Sequence, residues 1–590
     1  MKQTNRHNNT AHRRHRESSY DKSTKSRFEA GGYDVSKLNE NFLTLYKAFG
    51  FFVTIALVAL FNYQILQHSE LSSDAYNDRC RQSIIYAKRG TIYDRNGNVL
   101  AYSEDCKAVC ANPSQINSVR AYAKILAARL GGDEDTYAKI LDSNKTFAYI
   151  NRQVDSATAK TLLNDFTKAN LPGIYLEESQ MRVYPYHEVG NQVLGLVNID
   201  GDGITGIEKQ YDSILKGENG MKAIEVGING TPIAGGTHKI VEAKDGTDIV
   251  LSLDINIQKV AEENIADATK EFKAESGSVV ALDPKTGGIL AMCSTPFADF
   301  GDMSHLQNDA LQLKPINDSY EPGSTFKTIA MAIALDNGVV TPNTTYTVPV
   351  SRKVGDDIVK DAHKRSCATN MTTTEMMRVS SNVGLSMVGE AVGKDKFAAG
   401  LEKFKIGQRT GVDFPGEAAG IVQKRDEYTG ASVGAMSFGQ GLAIPLLQTT
   451  RATAAIANDG VMLTPHFLEQ KGSSKVNWGD GVEVCSNKTA NELTEMLRGV
   501  VQGGTGVLAQ IDRYDVAGKT GTAQVASSEG GYKENTYMSS FIGFANADNP
   551  SVVVSVSLNG TSQLAGSSGA PTFKKVMQES LIDLGVKPVW

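Results

Sequence analysis

The sequence is poor in cysteine, tryptophan and histidine. With 6 Cys, 2 Trp and 9 His among 590 residues, it lacks the cysteine density of a disulfide scaffold, and no metal-ligand spacing is present among the histidines. We therefore expect no metal and no other cofactor. The net charge of −6 is too small to favour a nucleic-acid-binding protein, so no nucleic-acid partner is expected. No internal repeat is present, and the length predicts two or more domains.

The small net charge conceals a segregation of charge along the chain. Residues 1–47 hold ten Lys/Arg and five acidic residues, a net of +5, which leaves 60 − 10 = 50 basic and 66 − 5 = 61 acidic residues, a net of −11, for the rest. The first 40 residues also have few apolar side chains. This composition predicts a basic, disordered tail over residues 1–47.

One long apolar run separates the tail from the acidic body. Ala48 to Gln67 contains no charged residue, and as a helix it would span the ~30 Å hydrocarbon core of a bilayer. A buried core helix and a cleaved signal peptide are the alternatives, but the tail is long and no clear cleavage site follows. We predict a signal anchor at residues 48–67, with a cytoplasmic N-terminus and the rest of the chain outside the cell membrane.

Beyond the anchor, the sequence predicts an α+β protein in two parts. Residues 68–246 alternate short apolar runs with turns, including a hairpin turn at Asp94–Gly97 and one helix at 119–130, and they predict a strand-rich module. Residues 247–590 begin with a strand, an amphipathic helix and a hairpin, and then mix helices with strands. We assign them to a second domain.

A serine and a lysine three residues apart form the strongest candidate site. In Glu321-Pro322-Gly323-Ser324-Thr325-Phe326-Lys327, two helix breakers precede an apolar helical run, so Ser324 lies at a helix N-terminus with Lys327 one turn later. A serine hydroxyl needs a base to become a nucleophile, and a lysine with a lowered pKa can be that base. The same spacing at Ser19/Lys22 and Ser213/Lys216 lacks this context.

Two further triplets follow in the same domain. Ser380-Ser381-Asn382 offers a hydroxyl that can relay a proton and an amide that can hold a carbonyl. Lys519-Thr520-Gly521-Thr522 continues a predicted strand, where Gly521 would allow a ligand backbone to approach closely. Another Lys-Thr-Gly, at 285–287, lies in a Pro-containing turn, and we predict that it only forms the turn of a hairpin. The ordered set S-x-x-K, S-x-N and K-T-G is the signature of penicillin-binding proteins and serine β-lactamases.

The chain resembles a class B penicillin-binding protein, a monofunctional peptidoglycan DD-transpeptidase. Motifs of its N-terminal part, which resemble those of the family's pedestal module, are Arg89-Gly90-Thr91-Ile92-Tyr93-Asp94-Arg95-Asn96-Gly97, Arg182-Val183-Tyr184-Pro185 and Gly206-Ile207-Glu208-Lys209. Tyr320-Glu321-Pro322-Gly323, Gly411–Glu417 and Gly439-Gln440-Gly441 are similar to the division and sporulation branch. The resemblance implies an elongated, dimerisation-like pedestal and a transpeptidase domain built on an antiparallel sheet flanked by helices.

The resemblance also implies the chemistry. Ser324 would attack the D-Ala–D-Ala carbonyl of a stem peptide, with Lys327 as general base. Ser380, helped by Lys519, would relay a proton to the leaving D-alanine. The N–H groups of Ser324 and Thr522 would form the oxyanion hole, and Asn382 and Thr520 would hold the donor peptide. β-Lactams would acylate Ser324.

Other functions of the same fold stay open from the sequence. A β-lactam sensor or a non-catalytic division scaffold is one alternative, although sensors usually carry several membrane spans. A DD-carboxypeptidase or β-lactamase is another, but no Glu-x-x-Leu-Asn loop lies between Asn382 and Lys519. Expected partners are a polytopic SEDS-type glycosyltransferase and other division proteins. Cys106 and Cys110, with Cys80 nearby, either form a disulfide or are small unpaired core residues.

Overall fold

A computed structural model describes residues 35–227, 231, 233–234, 238–300, 308–526 and 531–589. Its contacts divide the chain into two units. The first consists of Met1–Ser83 with Ala223–Lys239, and the second of Ile84–Lys222 with Ile240–Trp590. Most of the predicted disordered tail, residues 1–34, lies outside the described residues.

A long apolar helix dominates the first unit. It runs over Val35–Phe61 and continues as a π-helical turn at Asn62–Leu66. Residues 35–47 are thus helical, whereas the sequence analysis placed them in the disordered tail. The physical reason is that this segment has no Gly or Pro and carries apolar residues such as Phe42 and Leu45, so the helix propagates outward from the apolar run.

This helix is long and apolar enough to cross a membrane. The candidate span covers Asn39–Leu66, and none of its side chains is buried by the rest of the chain. In the part of the chain that the structure describes, it is the only such helix. The chain is therefore a membrane protein with one candidate span among the residues that the structure describes, since an exposed apolar helix of this length fits the hydrocarbon core of a bilayer.

The helices and strands are as follows. The remaining α-helices are His68–Arg79, Val119–Leu130, Glu134–Leu141, Ser156–Lys168, Asn191–Leu194, Gly206–Gln210, Asp212–Leu215, Ile255–Glu271, Lys314–Asn317, Lys327–Asp336, Thr373–Arg378, Asn382–Val392, Lys394–Lys403, Ser432–Met436, Leu446–Ala457, Asn487–Gly503 and Gly569–Asp583. The strands are Cys80–Ile85, Ile92–Tyr93, Val99–Ala111, Ala148–Val154, Ile174–Val183, Gly220–Glu225, His238–Val241, Ile249–Leu251, Ser276–Leu282, Ile289–Ser294, Thr345–Val348, Ser351–Val354, Asp357–Lys360, Thr369–Thr372, Val461–Met462, Leu468–Lys471, Ser474–Lys475, Val482–Glu483, Val516–Ala526, Tyr532–Ala545 and Val553–Thr561.

The N-terminal part of the second unit contains more helix than the sequence indicated. The predicted hairpin around Asp94–Gly97 and the helix Val119–Leu130 are both present. Ser156–Lys168 was not predicted as a helix. It begins where the Asp155 carboxylate accepts two backbone N–H groups, and it buries Leu162 and Phe166, four residues apart, on one face.

One seven-stranded sheet contains strands from both sides of residue 246. Ile249–Leu251 pairs in parallel with Ile92–Tyr93 and antiparallel with Leu468–Lys471. Ile92–Tyr93 in turn pairs with the long strand Val99–Ala111. Strands from before and after the predicted boundary at residues 246 and 247 therefore belong to the same sheet.

A buried cluster of charges joins the three N-terminal motifs. Glu208, fully buried, accepts hydrogen bonds from Arg89 Nε at 2.5 Å and from Arg182 Nε at 2.7 Å. Arg89 also donates to Asp212 at 2.6 Å. Two buried arginines are thus neutralised by the buried Glu208 and the partly exposed Asp212, which explains why charged residues stand in otherwise structural motifs.

Removing the central carboxylate should destabilise this region. Glu208→Gln leaves two buried guanidinium groups without their shared partner, so we expect the melting temperature of the region to fall by about 5–10 °C. Glu218→Gln is the matched control, because the Glu218 carboxylate pairs with Lys244 at the exposed surface and should cost almost nothing. Differential scanning calorimetry of both variants makes the comparison; equal melting temperatures would contradict the assignment.

The C-terminal part is organised around a five-stranded antiparallel sheet. Its order is Ile289–Ser294, Ser276–Leu282, Val553–Thr561, Tyr532–Ala545, Val516–Ala526. Both faces are covered: Val279 and Ala281 pack into a cluster with the helices Ile255–Glu271 and Gly569–Asp583, whereas Val280 and Leu282 pack into the larger core on the other side. This alternation follows from the two-residue period of a strand. The strand Val516–Ala526 forms one edge and carries the K-T-G motif.

Two smaller expectations can also be compared with the fold. The Lys285–Gly287 triplet lies in the turn between Ser276–Leu282 and Ile289–Ser294, as the hairpin interpretation requires. All six cysteines are described, and all are free. Cys106 and Cys110 are buried, which agrees with small core residues and not with a disulfide.

Candidate active site

Ser324 lies where two helical segments join. Gly323–Phe326 forms a short 3₁₀ turn that leads directly into the helix Lys327–Asp336, and almost every residue of that helix is buried. Gly323 has a φ of +54° and donates its N–H to Gly439 O at 3.0 Å. This geometry places a partly buried serine hydroxyl at the start of a rigid helix, as the S-x-x-K interpretation predicts.

Lys327 is completely buried and points at the S-x-N segment. Its Nζ lies 2.7 Å from Ser380 O, 3.2 Å from Ser380 Oγ and 2.7 Å from Asn382 Oδ1. These contacts tie the helix that follows Ser324 to the start of the helix Asn382–Val392. The first two predicted motifs therefore meet in space.

Lys519 approaches the same serine from the edge strand. Its Nζ, also buried, donates to Ser380 Oγ at 2.9 Å and to Thr520 O at 3.2 Å. The Ser380 hydroxyl thus bridges two lysine amines. Ser380 itself has a φ of +58°, a left-handed conformation that is strained for a serine and that turns its backbone carbonyl toward Lys327.

The remaining predicted residues surround this bridge. Thr520 Oγ1 lies 2.7 Å from Thr505 Oγ1, and Thr522 Oγ1 accepts the N–H of Ala565 at 3.1 Å. A Cβ built on Gly323 would lie 3.1 Å from Thr522 O, so the Thr522 backbone runs beside the turn that carries Ser324. All three predicted motifs therefore converge at one place.

Gly521 has a physical reason in addition to the expected one. The sequence predicts that it admits a ligand backbone. In the structure, a Cβ at this position would lie 2.5 Å from Ser540 Oγ and 2.6 Å from Thr325 Cγ2. Contacts within the protein already exclude a side chain here, because the edge strand packs directly against the Ser324 turn.

Asp361 is a site residue that sequence reasoning missed. Its carboxylate accepts Ser381 Oγ at 3.0 Å and the N–H of Val383 at 3.0 Å, and it pairs with Arg365 at 2.8 Å. Asp361 thereby holds the Ser380-Ser381-Asn382 segment in place through Ser381 and Val383. No motif marks it, because it lies in an unremarkable loop twenty residues before Ser381; only the close packing of that loop on the segment makes it important.

Burial and charge shift the pKa of both lysines downward. The pKa of Lys327 is held well below its ordinary value, first by burial and then by the positive charge of Lys519, while the negative charge of Asp361 opposes the shift. Burial lowers the pKa of Lys519 to about 7. Both groups therefore reach the neutral amine form far more readily than an exposed lysine.

Removing the charge of Asp361 should weaken the site without deleting a reacting group. Asp361→Asn loses the ion pair with Arg365 and loosens the segment that positions Ser380, so we expect acylation by a β-lactam to slow by about tenfold. The pKa of Lys327 should fall further, which moves the acid limb of the pH–rate profile to lower pH. Asp357→Asn, an exposed change in the adjacent strand, is the control; if both variants behave alike, Asp361 has no positioning role.

The pH dependence of acylation follows from the two lysines. Neutral Lys327 can accept a proton, so the rate should fall as pH drops through the pKa of Lys327. Protonated Lys519 supplies the positive charge beside Ser380, and above its pKa of about 7 this charge is lost. We expect a bell-shaped profile whose alkaline limb begins near pH 7, measured as the second-order acylation rate constant between about pH 5 and 9. A rate that rises steadily across this range would contradict the assignment.

The geometry defines the class of site. A serine hydroxyl at a helix start, a buried amine one turn later and a second hydroxyl shared by two amines are the kinds of group that a nucleophile, a base and a proton relay require. In the part of the chain that the structure describes, no group of three or more metal-ligating side chains accompanies them. Such a site suits acyl transfer through a serine ester.

Comparison with known proteins identifies the family. Residues 277–578 match the penicillin-binding protein transpeptidase domain, and residues 84–251 match the penicillin-binding protein dimerisation domain. The penicillin-binding protein PbpB of Mycolicibacterium smegmatis is 32% identical, covering 89% of this chain and 87% of its own length. Stage V sporulation protein D of Bacillus subtilis is also 32% identical, with 92% and 85% covered. The chain belongs to the class B penicillin-binding proteins.

Solved structures agree with this assignment. Penicillin-binding protein 3 of Mycobacterium tuberculosis, solved in complex with aztreonam, is 29% identical with a TM-score of 0.67, covering 86% of this chain and 98% of that one. Penicillin-binding protein 2X of Streptococcus thermophilus is 26% identical with a TM-score of 0.69, covering 86% and 80%. The fold and the motif order thus agree with the family resemblance found in the sequence.

Proposed function

We propose that this protein is a peptidoglycan DD-transpeptidase that cross-links stem peptides through a serine acyl-enzyme and that β-lactams acylate at the same serine. The observation that carries the proposal is the Ser380 hydroxyl, held between Lys327 Nζ and Lys519 Nζ beside the turn that bears Ser324. Relatives named as peptidoglycan D,D-transpeptidases, including PenA of Neisseria meningitidis at 32% identity over 91% of this chain, support it.

The acylation step uses the chain's own groups. Ser324 Oγ attacks the carbonyl of the D-Ala–D-Ala bond as its proton passes to the neutral amine of Lys327. The backbone N–H groups of Ser324 and Thr522 stabilise the oxyanion that forms. As the tetrahedral intermediate collapses, Ser380 gives its proton to the departing D-alanine nitrogen and takes one from protonated Lys327, while Lys519 holds the Ser380 hydroxyl in place. Lys327 is then neutral again, and an ester remains on Ser324.

The second step transfers the peptide to an amine. The amine of a neighbouring stem peptide attacks the ester carbonyl and gives up one proton, and Ser324 regains its hydrogen when the C–O bond breaks. Asn382 and Thr520 hold the donor peptide, and Gly521 allows the edge strand to lie close to the Ser324 turn. The net reaction exchanges one amide for another and needs no further reactant.

The site must face the cell wall for this reaction. We propose that the basic residues before the membrane helix stay in the cytoplasm and that residues from about 68 onward lie outside it, following the positive-inside rule. We also propose that, outside the membrane, residues 68–246 form a pedestal and residues 247–590 form a transpeptidase domain. A protease-protection assay on right-side-out and inverted vesicles tests the orientation. Cleavage of the body from the cytoplasmic side would contradict it.

A septal role and its partners are part of the same proposal. The relative named peptidoglycan D,D-transpeptidase FtsI, from Buchnera aphidicola, is 29% identical over 86% of this chain. A polytopic SEDS-type glycosyltransferase and other division proteins are the expected partners, and the exposed apolar side chains between Phe42 and Phe61 offer a surface for a membrane-embedded one. Depletion with microscopy tests the role: filaments support septal synthesis, whereas rounded cells would contradict it.

Fluorescent penicillin tests the enzymatic proposal. The full chain in detergent should acquire a stable covalent label, because a transpeptidase acylated by a β-lactam hydrolyses the ester slowly. Rapid turnover would instead indicate a β-lactamase. Absence of label would indicate a scaffold that uses the same fold.

A further inference from the structure

Thr505 lies beside the K-T-G motif, and neither the sequence motifs nor the proposed mechanism includes it. It follows the helix Asn487–Gly503, and its Oγ1 lies 2.7 Å from Thr520 Oγ1. In the proposed function, Thr520 is one of the residues that hold the donor peptide. A hydroxyl in direct contact with Thr520 can therefore set the direction of its hydrogen bonds.

The backbone around Thr505 is fixed by the segment that leads to Ser380. The Thr505 N–H donates to Arg378 O at 3.2 Å, and Arg378 Nη1 donates to Gly503 O at 2.9 Å. A Cβ built on Gly504 would lie 2.2 Å from Arg378 O, so the two chain segments pack backbone against backbone. These contacts hold the Thr505 hydroxyl in place between the S-x-N and K-T-G motifs.

The hydrogen bonds around Thr520 Oγ1 limit where its proton can point. A hydroxyl group donates one proton and accepts at two lone pairs. Lys519 Nζ donates to Thr520 Oγ1 at 3.3 Å, which occupies one lone pair. The contact with Thr505 has two possible directions, since either hydroxyl can be the donor. If Thr505 donates, both lone pairs of Thr520 are used and its proton is free for a ligand; if Thr520 donates, its proton is consumed within the protein.

A carboxylate in the cleft favours the first of these directions. The bond that the proposed reaction breaks joins two D-alanines, so the leaving residue carries a carboxylate close to the attacked carbonyl. Lys519 connects Thr520 to the reacting groups, because its Nζ also donates to Ser380 Oγ at 2.9 Å. A hydrogen bond to an ionised acceptor is roughly twice as strong as one between neutral groups, so the bound substrate favours the arrangement in which Thr520 donates to it.

We propose that Thr505 is a positioning residue for recognition of the terminal carboxylate of the substrate. Its hydroxyl donates to Thr520 Oγ1 and thereby directs the Thr520 proton to that carboxylate. This role rests on the proposed function, since it concerns the same substrate and the same cleft. It assigns part of the selectivity for a free carboxylate to a residue outside the three motifs.

Two thioester analogues of the stem peptide test this role, one with a free terminal carboxylate and one with that carboxylate converted to a methyl amide. Thr505→Val keeps the shape of the side chain and removes the hydroxyl donor. With the full chain in detergent, we expect kcat/KM for the free-carboxylate analogue to fall by about tenfold, mainly through a higher KM. For the amide, which carries no charge, the change should be less than about twofold. Thr505→Ser keeps the donor and should restore the unaltered value. An equal loss with both analogues, or no loss with either, would overturn the proposal.

A double variant shows whether Thr505 acts through Thr520. Thr520→Val should also slow the reaction of the free-carboxylate analogue, and adding Thr505→Val should then cause no further loss. Additive losses would mean that Thr505 contacts the substrate itself, which would overturn the positioning role. Thr489→Val is the matched control, because it removes a buried hydroxyl that accepts from Ser486 Oγ at 2.9 Å near the start of the same helix. It should leave the discrimination between the two analogues unchanged.

Failure of the proposed function would give a different result from failure of this role. If the unaltered protein forms no ester at Ser324 with either analogue or with fluorescent penicillin, the proposed function is wrong and the role of Thr505 falls with it. If the unaltered protein is acylated and Thr505→Val discriminates between the two analogues as the unaltered protein does, only the role of Thr505 is overturned.

Discussion

Ser324→Ala should abolish covalent labelling by fluorescent penicillin. The variant lacks the hydroxyl that we propose forms the ester. The Ser380 hydroxyl is held as a bridge by its backbone conformation and by two lysine contacts, so we do not expect it to replace Ser324. We expect the acylation rate to fall below detection, a loss of at least about 10⁴-fold. Gel fluorescence and intact-protein mass measure it.

A serine with the same local spacing provides the control for this change. Ser213 stands three residues before Lys216, but it lies in the short helix Asp212–Leu215 of the N-terminal region, and Lys216 pairs with Asp202. Ser213→Ala should label like the unaltered protein. Persistent labelling of Ser324→Ala would place the nucleophile elsewhere.

Lys327→Met should reduce acylation by about 10³-fold. Methionine has nearly the shape of the lysine stem, but it cannot accept the serine proton. It also removes the donor to Ser380 O and Asn382 Oδ1, so the melting temperature of the variant is measured beside its rate. The reaction should then depend on hydroxide, so the slow rate should rise with pH up to about 7 and level off above it, where Lys519 loses its charge. Stopped-flow acylation measures both effects.

Lys403→Met serves as the matched control for Lys327. Lys403 is a partly exposed lysine that pairs with Asp336. Asp336 is the last residue of the helix that begins at Lys327. Its substitution should leave the acylation rate and the pH profile unchanged. If Lys327→Met kept the bell-shaped profile and a near-normal rate, another group would be the base.

The sequence allowed candidate reacting groups to be proposed but not the groups that hold them. Ser324, Lys327, Ser380 and Lys519 stand in short motifs that point to acyl transfer only when their order along the chain is considered together. Asp361 carries no motif, because its role depends on a loop folding back on Ser381. Long-range contacts of this kind have no local signal.

Local patterns also gave incomplete accounts of the fold. The hairpin at Asp94–Gly97 and the helix Val119–Leu130 have strong local signals and are present. Helix Ser156–Lys168 was missed, although Asp155 is a good N-cap and Leu162 and Phe166 have helical spacing, because the surrounding alternation of short apolar runs and turns favoured strands. The three charged N-terminal motifs were recognised separately, and only the structure brings Arg89, Arg182 and Glu208 together.

The most direct test of the central claim is acyl transfer to an amine by the full chain. A thioester analogue of the stem peptide is mixed with the protein and a D-amino acid acceptor, and the products are followed by mass spectrometry. We predict an acylated tryptic peptide that contains Ser324, and a transfer product that increases with acceptor concentration at the expense of hydrolysis. Acylation at another residue, or hydrolysis alone at every acceptor concentration, would contradict the account.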